Sequence, residues 1–127
     1  MNIYDFIEYY ILNEEVNMYS IEINTKNRIL KLLEDGKVKK QYPVAVGKPS
    51  TPTPLGNWSI IMKGLWGEQF GGYFMQLSVP WGIYGIHGTD KPWSIGQEVS
   101  GGCVRMYSSD AKEVYETIPV GTEVKIY

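Results

Sequence analysis

The chain has 127 residues, 43% hydrophobic and 20% charged, which suits one domain that buries roughly two-thirds of its unfolded surface and excludes disordered and collagen-like classes. Twelve Lys+Arg against fourteen Asp+Glu give a net charge of -2, with no positive field to hold a phosphate backbone, so no nucleic acid is expected as a partner. A single cysteine, Cys103, and a single histidine, His87, exclude an intramolecular disulfide and the usual Cys- or His-rich metal sites, and no metal or cofactor is expected.

Ile3, Phe6, Ile7, Tyr10 and Ile11 recur at helical spacing, which predicts a short amphipathic helix over 3–13 within an N-terminal extension, residues 1–18. This start carries acids where an export signal is basic and has no unbroken apolar core, and no run in the chain approaches the roughly 20 apolar residues of a membrane span. From Tyr19 the period becomes two, predicting a strand with Ile21 and Ile23 inward. A second strand follows over 28–33, and Asp35-Gly36 is the strongest hairpin signal. A third strand returns through Val38, Tyr42, Val44 and Val46.

Three prolines in 47–56 predict a rigid extended loop. Trp58, Ile60 and Met62 alternate as a strand, and a glycine-rich stretch, 64–72, leads to another over 73–78. Ile83 to His87 reads as a short strand, 88–102 as irregular, and 103–106 as a return to the sheet. Asp110 to Thr117 reads as a helix capped by Ser108 or Ser109, and Val120, Thr122, Val124 and Ile126 as a last strand. The expected class is mainly β, a sandwich or partly closed barrel with one helix in the C-terminal half and a short N-terminal helix.

The concentrated reactive chemistry lies between His87 and Cys103. A thiol becomes a nucleophile at neutral pH when an adjacent imidazole takes its proton, and the intervening loop is long enough to bring the two together. Gly101 and Gly102 remove side chains before the thiol, opening the main-chain N–H groups to a substrate carbonyl. The blander reading is a small buried Cys103 and a merely hydrogen-bonded His87, with Gly101-Gly102 a tight turn and Arg105 an ion-pair partner.

His87-Gly88 followed by Ser100-Gly101-Gly102-Cys103-Val104-Arg105, together with Tyr42-Pro43-Val44-Ala45-Val46-Gly47-Lys48 and the Pro/Thr segment 51–56, resembles the YkuD-type L,D-transpeptidase catalytic domain over about residues 19–127. The resemblance implies peptidoglycan stem peptides as substrate, inhibition by carbapenems, Cys103 as nucleophile, His87 as base, and the Gly88 carbonyl as the group that orients the imidazole. It also implies an oxyanion hole from the N–H groups of Gly102 and Cys103. Ser100 is expected to hold the turn, Arg105 to brace the loop or bind a carboxylate, with bracing favoured, and Tyr73, Trp81, Tyr84 and Trp93 to wall the cleft. The family usually has histidine where this chain has Gly101. Two rival expectations are an L,D-carboxypeptidase on the same scaffold and a wall-binding module weakened at Gly101. The implied substrate lies outside the cytoplasmic membrane, so the expected location is the cell wall or a forming spore, reached without a visible signal peptide or after processing.

Overall fold

The computed structural model describes residues 18–127, and the helix expected over 3–13 lies outside the described residues. Alternation places Ile21 and Ile23 of β1 (Tyr19–Asn24) in the core. β2 (Ile29–Glu34) runs back antiparallel, and Asp35-Gly36 turns the chain into β3 (Lys37–Gly47). Both turn residues have positive φ, 52° and 79°, as a two-residue hairpin matched to the strand twist requires. A register shift between Leu32 and Leu33 leaves Lys39 as an extra residue in β3. Val38 is thereby turned away from the face of Tyr42 and stands exposed rather than in the buried set.

The first half of β3 pairs with β2, and its second half pairs first with β8 (Val104–Met106) and then with β7 (Glu98–Ser100). The other strands are β4 (Gly56–Gly64), β5 (Phe74–Leu77), β6 (Gly85–His87) and β9 (Glu123–Ile126). Because β2 pairs with both β1 and β3, the order β1-β9-β4-β5-β6-β8-β3-β2 closes into a barrel-like ring, with β7 attached at the rim of β3. The class is mainly β with one helix, α1 (Ser108–Thr117), which lays Ala111 and Val114 into a core shared with Ile21, Val44, Ile60 and Met106.

Several local expectations are corrected. The helix begins at Ser108, two residues early, and Tyr107 stands at its N-cap without a side-chain bond. The Ser108 hydroxyl is engaged elsewhere, accepting from the Thr89 N–H (3.3 Å) and donating to the Thr89 carbonyl (3.1 Å). β6 is only three residues long, and Ile83 is exposed before it. The segment read as wholly irregular contains β7, held by pairing to β3 rather than by any periodicity of its own. In β4 a register shift between Ile60 and Met62 leaves Ile61 and Met62 exposed. Lys63 instead reaches the end of α1, donating to the Tyr115 and Ile118 carbonyls at 2.7 and 2.8 Å, where a cation suits the helix dipole.

Candidate active site

β6 and β8 lie side by side in parallel, Ile86 beside Val104 and His87 beside Arg105, so a long crossover must join them; it occupies 88–103. Ile86, Val104 and Met106 point into the core. By alternation His87, Cys103 and Arg105 share the opposite face. One step back along this register Cys103 comes beside Gly85. Register thus brings together the two reactive side chains that sequence separates, and they line one cavity of about 260 Å³ with Phe70, Asp90, Lys91 and Arg105.

His87 is 4% exposed, and its Nδ1 hydrogen-bonds the Gly88 carbonyl. A carbonyl only accepts, so Nδ1 carries the proton and Nε2 the free lone pair. Gly88 is held in place by close approach, since a β-carbon there would lie 2.9 Å from both Gly71 Cα and Ser108 Oγ. Phe70 meets the imidazole edge-on at 5.0 Å, and Phe74, itself stacked on Trp66 at 3.9 Å, lies nearly parallel to it at 5.7 Å. Burial pushes the imidazole below its usual pKa, and the Arg105 charge adds to this against the opposing Gly88 bond. Burial likewise pushes the Cys103 thiol up, while the Gly85 main chain and Arg105 draw it partly back. Both shifts favour the neutral pair, an uncharged imidazole beside an uncharged thiol.

Ser100, 1% exposed, ties the turn before the thiol. Its hydroxyl donates to the Cys103 carbonyl (2.6 Å) and accepts from the Gly102 N–H (3.1 Å), while its own carbonyl accepts from Thr51 Oγ1 (2.8 Å) and the Lys48 N–H (3.1 Å). The Gly102 N–H, expected with that of Cys103 in an oxyanion pair, is thus engaged by the Ser100 hydroxyl. Gly101 borders the cavity, and a β-carbon there would meet no atom within 4 Å.

Arg105, expected to brace the loop, forms no ion pair among the described residues and faces the cavity. The brace is Arg28, whose Nε donates to the Gly96 carbonyl at 2.6 Å and whose guanidinium lies 3.8 Å from Glu98. Of the aromatic residues expected at the cleft, Tyr73 packs edge-on against Tyr115 and Tyr84 packs over Gly102. Trp81 lies in a neighbouring groove, and Trp93 is 71% exposed outside the cavity lining. Phe70, hidden in the glycine-rich stretch, lines the cavity and meets His87 there. Among the described residues no cluster of three His, Cys, Asp or Glu is placed to hold a metal ion, and no helix is long and apolar enough to cross a membrane.

Among known proteins, the YkuD family profile, an L,D-transpeptidase catalytic domain, matches residues 18–126. The chain belongs to that family. The protein YkuD of Bacillus licheniformis is 42% identical over 117 residues, covering 91% of this chain and 70% of the relative. An L,D-transpeptidase from Mycobacterium smegmatis shares the fold at a TM-score of 0.78 and 19% identity, covering 87% of this chain and 59% of the other. A second L,D-transpeptidase, solved in complex with imipenem, has a TM-score of 0.74 and 20% identity over 87% of this chain and 59% of its own. This chain thus spans under two-thirds of those solved proteins.

Proposed function

We propose that this YkuD-family domain transfers acyl groups of peptidoglycan stem peptides through a thioester on Cys103. The observation that carries the reading is the shared face of Cys103 and His87, with Nδ1 held on the Gly88 carbonyl and Nε2 left as the base. Cys103 Sγ attacks the carbonyl of the third stem residue while Nε2 takes the thiol proton. The C–N bond to the terminal D-alanine breaks, Nε2 returns that proton to the leaving amine, and a thioester remains. An acceptor amine then attacks the thioester, losing its proton to Nε2, and Cys103 leaves protonated. The Cys103 N–H stabilises the oxyanion in both steps. Arg105 and Lys91 supply cations for the carboxylates of the stem, and Asp90 an anion for its amine.

Such an enzyme works where stem peptides are, at the cell wall or a forming spore. The test is mass spectrometry of the protein after incubation with a carbapenem. The parent gains the mass of one inhibitor on the peptide containing Cys103, and folded Cys103→Ala gains none. An unmodified parent, or a Cys103→Ala variant that still joins stem peptides, overturns the reading.

A further inference from the structure

Beside the thiol cavity lies a second hollow, of about 490 Å³, between the Pro/Thr loop and the segment carrying Trp81 and Tyr84; Gly101 borders both. The two differ in chemistry. The thiol cavity presents Asp90, Lys91 and Arg105, whereas the groove is lined by Ser, Thr, Pro, Leu, Trp, Tyr and Gly without one charged side chain. Its wall is Trp81, 63% exposed, which rests edge-on against Trp58 at 5.5 Å. Trp58 is fixed in turn, its indole N–H donating to the Pro54 carbonyl at 3.1 Å. The floor is equally rigid. Prolines restrict the loop, Thr53 Oγ1 accepts from the Gly47 N–H at 2.9 Å, and Thr51 Oγ1 donates to Ser100 in the thiol turn at 2.8 Å.

An indole held out to solvent on a braced base, amid hydroxyls and carbonyls and without charge, suits a ligand with an apolar face and neutral polar edges. A stem peptide, with its carboxylates and amine, matches the charged cavity instead. A pyranose ring matches the groove, since its C–H face stacks on indole while its hydroxyl and acetamido groups exchange hydrogen bonds with neutral partners. We infer that the groove is a subsite for an N-acetylated hexosamine of the glycan, stacked on Trp81, and in this respect the inference rests on the peptidoglycan reading. A stem attached to that sugar has its third residue about 10 Å along an extended chain, far enough to cross Gly101 and reach Cys103.

The experiment titrates chitotriose, an N-acetylglucosamine trimer, into ¹⁵N-labelled protein and follows the indole signals of Trp58, Trp66, Trp81 and Trp93. Trp81 shifts saturably with Trp58 following, while Trp66 and Trp93 stay in place. Cellotriose, lacking the acetamido groups, shifts Trp81 less. Trp81→Ala abolishes the Trp58 response and Trp81→Phe keeps it at weaker affinity. In turnover, Trp81→Ala raises KM about five- to tenfold for glycan-linked stems and leaves free stems unchanged. No saturable shift of Trp81, a shift that follows protein dilution instead of sugar, or an equal rise of KM for free stems overturns the subsite, the last by giving the groove to the peptide. Carbapenem acylation of Cys103, measured on the same samples, keeps the two readings apart. Acylation without sugar binding removes only the subsite, and sugar binding without acylation removes only the transpeptidase.

Discussion

Gly102→Ala measures how tightly the thiol turn is built. Gly102 has φ of +124°, a backbone region nearly closed to other residues, and holding alanine there costs of order 1–3 kcal/mol. Its β-carbon would also lie 2.6 Å from Tyr84 Cε1 and 3.1 Å from Cδ1, closer than atoms pack, so the ring must move at an overpacking cost of about 1–3 kcal/mol. The sum, about 2–6 kcal/mol, is a large part of the ~5–15 kcal/mol that holds a domain together. Equilibrium urea unfolding reads it directly. Tyr84→Ala in the same chain relieves the steric share and leaves the backbone share, so the two substitutions should couple by about 1–3 kcal/mol. One residue earlier the expectation reverses, because Gly101 has an ordinary φ and open space around its would-be β-carbon. Gly101→Ala and Gly101→His should both unfold within about 0.5 kcal/mol of the parent. A Gly102→Ala variant as stable as Gly101→Ala refutes the reasoning, since nothing but turn geometry and the Tyr84 contact separates the two sites.

For a neutral pair, alkylation of Cys103 in the parent should fall only as pH drops through the imidazole pKa, below the usual value of about 6.5, and rise again only above the usual thiol value of about 8.5. His87→Ala should lose the plateau between these limits and keep the alkaline rise, and equal rates at neutral pH would show that His87 is not the base. The lowered imidazole pKa also means that the unfolded chain binds more protons below about pH 6.5, so stability should be lost as pH falls through the folded value; His87→Gln should flatten that slope in urea titrations across pH. Ser100→Ala removes the hydroxyl that serves Cys103 and Gly102 and should cost about 1–3 kcal/mol together with a slower carbapenem acylation, whereas unchanged stability would mean that the turn holds itself. Phe70→Ala should admit water to the imidazole and move the acid limb of the alkylation profile up toward the ordinary value, and an unmoved limb would mean that Phe70 does not desolvate the base.

Elements that hold themselves by local pattern were legible in the sequence, among them β1 from its alternation, the Asp35-Gly36 hairpin from its turn chemistry and α1, to within two residues of its start, from the serines before Asp110. Elements that exist through partners were not. β7 is three residues with no period to read, and only its pairing with the end of β3 makes it a strand. The bulges at Lys39 and Ile61 each break the alternation of their strand, so Val38 and Met62 are exposed and Lys63 lies over the end of α1. Alternation alone puts Phe74 on the solvent side of β5, yet it is buried there by Trp66, Phe70 and His87, a second aromatic cluster that a period of two does not reveal.

The glycines show most directly where reading by residue type stops. Gly101 and Gly102 read alike in the sequence, as side chains removed so that a substrate can approach the backbone. In the fold the space beside Gly102 is already taken by Tyr84, and its N–H by Ser100, so this glycine is there for packing and for its backbone angle. The space beside Gly101 is open, and it lies where the charged thiol cavity meets the uncharged groove. A histidine at this position would stand in the passage between the two, and the chain keeps the turn that presents Cys103 without it because Ser100 and Gly102 form that turn. The change at Gly101 should therefore alter which groups can reach the thiol and leave the Cys103–His87 pair as it is. Comparing carbapenem acylation with stem-peptide transfer in the parent and in Gly101→His separates these effects. Equal acylation with altered transfer supports a passage, and an acylation rate restored only by the histidine would place the role of residue 101 in the chemistry itself.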